Sequence, residues 1–126
     1  MKDLDLVHRS LELRTSYSPQ EALGQAKEAI ERVGRVSLAR AHVVGESEEE
    51  LLVEIRPTSP VGILADNTTF VVGVRSDGEG TTVVSAEAAK YSVYQEKLFF
   101  FIPFGPKNIP GAKVFAKCLE EIEGSL

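Results

Sequence analysis

Histidine, cysteine and carboxylate side chains are the groups that could do chemistry in this chain, and their spacing argues against most of it. His8 and His42 stand 34 residues apart, in neither an HExxH nor an HxH arrangement, so they lack the spacing of metal ligands. No GxSxG occurs that would set a serine nucleophile on a sharp turn. The single cysteine, Cys118, has no second thiol for a disulfide, redox or zinc pair. Its place in an apolar helical pattern makes it a packing residue; a nucleophile would need a helix terminus or basic neighbour to lower its pKa. The run from Gly105 to Lys113 looks like a phosphate loop but has five residues between its glycines and Val114 after Lys113. A true P-loop has four, then Lys and Ser/Thr, and the prolines here remove backbone donors. Lys107 and Lys113 near a helix N-terminus could still meet one anion or carboxylate, although a rigid strand-to-helix connection explains the segment as well. Glu46, Glu48, Glu49, Glu50 and Glu54 form a charge run without the glycine-turned loop that calcium needs, and they read as a solvated face. No metal and no cofactor is expected.

The whole-chain balance narrows the partners. With 14 Lys+Arg against 19 Asp+Glu the net charge is -5, which disfavours a nucleic-acid binder whose affinity would come from neutralising phosphates. The uncharged stretches Pro57–Ala65 and Leu98–Pro106 are nine residues each, and a bilayer span needs about 20. Residues 1–126 are expected to form one domain, since typical domains run ~100–200 residues. The N-terminal residues lack the basic flank and apolar run of a signal peptide, and the cysteine is unpaired, so a soluble, acidic, cytoplasmic protein is expected.

The elements that must position any site are legible from periodicity. Ser18-Pro19-Gln20-Glu21 carries an N-cap serine, a proline at N1 and a glutamate at N3, which predicts a helix over 19–33 ending at Gly34. Leu23, Ala26, Ile30 and Val33 form its apolar face, with Lys27/Glu31 and Glu28/Arg32 as i,i+4 pairs outside. Leu51, Val53 and Ile55 then alternate with Leu52, Glu54 and Arg56, and Phe70, Val72 and Val74 with Thr69, Val71, Gly73 and Arg75. That period of two predicts two half-buried strands. Ser76-Asp77-Gly78-Glu79-Gly80 predicts a hairpin into a long strand, Thr81–Tyr94. Val36–Val44 reads as one strand, Leu98–Ile102 as the last and most buried one, and Val7–Arg14 as the opening one. Ala112, Phe115, Leu119 and Ile122 mark a closing helix. The expected class is α+β, with five to six antiparallel strands against two helices in the order β-α-β-β-β-β-β-α.

The aromatic residues are the most informative candidates. Eight of nine, Phe70, Tyr91, Tyr94, Phe99, Phe100, Phe101, Phe104 and Phe115, lie after residue 69. In a strand Phe99 and Phe101 share one face while Phe100 takes the other. Phe70, Tyr91, Phe99, Phe101, Phe115 and Leu119 are therefore the candidate ligand-binding residues of a cavity between sheet and closing helix. Dense packing of the same rings is the plainer alternative.

The element order resembles the helix-grip superfamily (Bet v 1-like, START/polyketide-cyclase-like). In that family a curved antiparallel sheet wraps the C-terminal helix with a hydrophobic ligand between them. The chain departs from it in having one continuous helix after the first strand and in its short length; a ferredoxin- or TBP-like sandwich is the alternative fold. The resemblance implies a non-catalytic binding module for a small lipid-, polyketide- or isoprenoid-like molecule, and carries no family residue across position by position. An apolar pocket needs a few polar groups, which Arg56, Arg75, Lys90, Tyr91 or Tyr94 would provide. A protein-interaction or structural module, docking a protein partner or a second copy through an apolar sheet face or the Pro103–Gly111 segment, is the competing function. A cyclase- or hydrolase-type enzyme is the third, in which Glu54 or Glu87 would converge with His42.

Overall fold

The structure, a computed structural model, describes residues 2–36, 39–58, 68–93, 95, 97–98, 102–103, 105 and 107–126. Its α+β architecture comprises α1 (Lys2–Val7), β1 (Ser10–Thr15), α2 (Pro19–Val33), β2 (Arg35–Val36), β3 (Ala39–Glu46), β4 (Glu50–Pro57), β5 (Thr68–Ser76), β6 (Thr82–Lys90), β7 (Lys97–Leu98), β8 (Ile102–Pro103) and α3 (Ala112–Ser125). β1 to β6 form an antiparallel sheet in the order β1-β6-β5-β4-β3-β2. Strands β2 to β6 are thus a meander, and the opening strand closes the far side of the sheet against β6.

One face of this sheet carries the core. Leu51, Val53 and Ile55 of β4, Phe70, Val72 and Val74 of β5 and Val84 and Ala86 of β6 are buried with Ala22, Leu23, Ala26, Ala29 and Ile30 of α2. Val114, Phe115, Cys118, Leu119 and Ile122 of α3 complete the same cluster. The alternation expected for β4 and β5 is present, and the apolar faces of both long helices meet it. Removing this surface from water is the main favourable contribution to folding.

Local signals set the element ends. The Ser18 hydroxyl accepts the Glu21 backbone N–H and donates to the Glu21 carboxylate, so α2 begins where the capping residues predict. Ser18→Ala is expected to cost ~0.5–2 kcal/mol, because the N3 amide loses its acceptor. A lowered urea midpoint checks this, and an unchanged one would remove the cap from the account. At the β5–β6 turn, Asp77 accepts the backbone N–H groups of Glu79 and Thr81 and an ion pair from Arg14. Those donors, led by the Glu79 amide, hold its carboxyl below the ordinary range.

Four expectations change. The opening strand starts at Ser10 rather than Val7, because Lys2–Val7 coils into a short helix. Val7 packs against Ile109 and Ala112, and Asp3 accepts the Ile109 backbone N–H at 3.0 Å. Val36–Val44 is two strands, with β2 reversing into β3 so that Val36 faces Ala39. The strand after the hairpin ends at Lys90, short of Tyr94. Leu98 pairs with Ile102 in a separate two-stranded ribbon, and Ile102 is exposed. The place beside β6 that a last core strand would fill belongs to β1. Phe99, Phe100 and Phe101 lie outside the described residues.

The side-chain pairs on α2 also differ from the local i,i+4 expectation. Lys27 donates to Glu46 of β3 at 3.0 Å, and Arg32 reaches Glu121 and Ser125 of α3. These links tie the helix to its neighbours across the fold, while the charge of Glu31 one turn on also acts on Lys27 as the i,i+4 spacing predicts.

Candidate interaction site

The expected ligand-binding residues divide between two clusters. Phe70 and Phe115 are fully buried with ring centroids 5.2 Å apart and planes at 62°, an edge-to-face contact, and Leu119 lies in the same cluster. Tyr91 belongs instead to the smaller cluster around Val7, Ile109 and Ala112, and its hydroxyl bonds His8 Nε2 at 2.8 Å. Phe99 and Phe101, like Tyr94 and Phe104, lie outside the described residues. Ile109 is buried, so it offers no apolar docking surface on the Pro103–Gly111 segment. Cys118 is buried, and desolvation, then the Glu121 charge, pushes its thiol up to about 12, which leaves it protonated at neutral pH.

The polar candidates lie on the sheet face away from the helices. His42 and Glu54 are directly opposed across β3 and β4, and the Glu54 carboxylate accepts from Arg56 two residues on. Glu87 is opposed to Val71 of β5 and Ser10 of β1, away from His42. Among the described residues no group of three or more His, Cys, Asp and Glu side chains is placed to hold a metal ion, and no helix is long and apolar enough to cross a membrane.

A groove of about 580 Å³ opens between α2 and β3, lined by Lys27, Ile30 and Glu31 of the helix and by residues Arg40 to Glu46 of the strand. Its position follows from the length of β2, whose two residues pair only with Ala39 and Arg40. Beyond them Ala41–Glu46 has β4 on one side and, among the described residues, no strand on the other. Such an edge leaves backbone N–H and C=O groups free to pair with another chain. A register shift between Val43 and Gly45 marks a bulge there, and Val44 is 42% exposed. Glu46 and Lys27 close the groove at one end, where the hydrogen bond and the charge of Glu46 raise the lysine pKa.

Sequence reasoning missed a further feature. Arg35 is opposed to Arg40, and Arg40 to Arg56, so three arginines stand in one row across β2, β3 and β4. Directly opposed like charges destabilise a sheet. The row is invisible in sequence because no Asn-Gly or Asp-Gly pair marks the reversal between residues 36 and 39. No protein-family model and no curated protein matches the sequence.

Proposed function

We propose that this protein is a non-catalytic interaction module that takes an extended polypeptide segment along the open edge of β3. The observation that carries the reading is the coincidence of that edge, unpaired among the described residues, with the groove beneath it. An added strand would gain main-chain hydrogen bonds from Ala41–Glu46, and its alternate side chains would enter the space between β3 and α2. Strand addition obtains affinity and specificity from those two sources. Apolar contact would come from Ala41 and Val43, and charge selection from Lys27, Glu31, Arg40 and Glu46.

The helix-grip resemblance is supported by element order, an opening strand, a capped helix, an antiparallel meander and a closing helix. The apolar-ligand function attached to it has less support. Phe70 and Phe115 occupy the layer between β5 and α3 against each other, so a molecule there would have to displace them. On the outer sheet face the exposed Leu52 stands opposite Val71 and Gly45 but between Glu50 and Glu54 on its own strand, which confines the apolar surface there.

Peptide display against the whole protein tests the proposal. Random extended peptides selected for binding are expected to slow amide hydrogen exchange across Ala41–Glu46. Selected peptides that protect another region and leave those amides unchanged would overturn it.

A further inference from the structure

From the charge pattern at the two ends of the β3 edge, we infer that its occupant is a second copy of the same chain, paired antiparallel through β3; this rests on the strand-docking reading above. One end is basic, with Arg35 and Arg40 at the edge and Arg56 behind them on β4, where Glu54 offsets one of the three charges. The other end is acidic, with Glu48, Glu49 and Glu50 exposed beyond Glu46, whose own charge is paired with Lys27. A twofold axis through the middle of the edge brings the basic end of each copy to the acidic end of the other. That is the self-complementarity an isologous interface requires.

The middle of the edge fits the same partner. Val43, Val44 and Gly45 carry no charge, and Val44 is exposed on the bulge. Protected edges commonly place a charge at such a point. The opposite edge of the sheet shows the contrast, because Glu12 and Arg14 occupy the middle of β1 and are engaged by Arg75 and Asp77. In the pair, Ala41 and Val43 of each β3 point to the helix-bearing side, where the other copy has its groove. The two-residue β2 of one subunit then abuts the end of the other subunit's β3, so pairing closes at two copies. The arginine row acquires a purpose, since the like charges gather where the partner's glutamates arrive.

Sedimentation equilibrium of the full chain across a wide concentration range reads the association directly, from the 13.7 kDa monomer to twice that mass. Two variants reverse one end each: Arg35→Glu with Arg40→Glu, and Glu48→Arg with Glu49→Arg and Glu50→Arg. All five side chains are exposed, and circular dichroism reports whether each variant is folded. Each variant alone is expected to weaken self-association by at least about tenfold, because like charges then meet at both ends. Mixing the two is expected to restore a heterodimer, because each basic end then meets an acidic one.

Hydrogen exchange on the unaltered chain adds a variant-free readout. Amides of Ala41–Glu46 are expected to become protected as concentration rises. A wild type that stays monomeric overturns the inference, as does a dimer indifferent to both reversals. Protection of Ala41–Glu46 by a selected peptide in a monomeric wild type would overturn only the second-copy assignment, leaving the docking function standing. Loss of both would remove both.

Discussion

Gly111→Ala is expected to destabilise the native state by on the order of 3 kcal/mol, from two costs that act together. Gly111 has φ 85°, where a side chain crowds its own backbone at a cost of about 1–2 kcal/mol. A Cβ there would also lie 2.7 Å from Ile55 Cγ2 and 3.1 Å from Ile55 Cβ. Ile55 is buried in β4 and cannot swing aside as a surface side chain would; overpacking of this kind costs ~1–3 kcal/mol. The glycine is what lets the start of α3 approach the sheet, where the Thr68 hydroxyl donates to the Pro110 carbonyl. Gly78→Ala is the control, since its φ is 84° but nothing lies within 4 Å of the added carbon. Urea unfolding of the two variants separates the steric cost from the conformational one. Equal midpoints would show that the approach to Ile55 is not tight.

Phe115→Ala is expected to cost ~3–5 kcal/mol, the range for removing a large ring from a packed core. Phe115 is fully buried, and its loss removes the edge-to-face partner of Phe70 as well as its own contacts. The vacated space would be lined by apolar groups, and such engineered cavities take up small aromatic molecules. The variant, kept folded at low temperature, is therefore expected to bind benzene or a similar probe where the wild type does not. Saturable 1:1 binding by the wild type at Phe115 would instead favour an apolar ligand between sheet and helix.

Local patterns accounted for most elements, and non-local pairing accounted for the rest. Ser18 and Pro19 announce α2 because capping acts within one turn, and Leu51, Val53 and Ile55 announce β4 because alternation is a property of one strand. Lys2–Val7 gave no comparable signal. That helix is short, and Asp3 and Val7 are held by Ile109, far along the chain. Leu98–Ile102 misled for the opposite reason. Its composition suits a buried strand, but the sheet position it would need is occupied by β1. The candidate site was the least legible part. An open edge is a statement about which strand is missing from a neighbour's side, and no residue type encodes that. Arg35, Arg40 and Arg56 likewise become a row only when the register of three strands is known.

β1 has β6 as its sheet partner, with Ser10 opposite Glu87 and Thr15 opposite Thr82. A chain made from its N-terminus therefore presents Leu11 and Leu13 long before the strand that receives them exists. Synthesis proceeds at about 5–20 residues per second, so β1 waits several seconds while the meander from β2 to β6 emerges and can pair in sequence. The hairpin steps in that meander are local, whereas the joining of β1 closes a loop spanning most of the chain and is the slow class of contact. β1 thus joins the sheet through its least local contact, and until β6 is made the face carrying Leu11 and Leu13 has no strand beside it, while Glu12 and Arg14 keep the other face soluble in water.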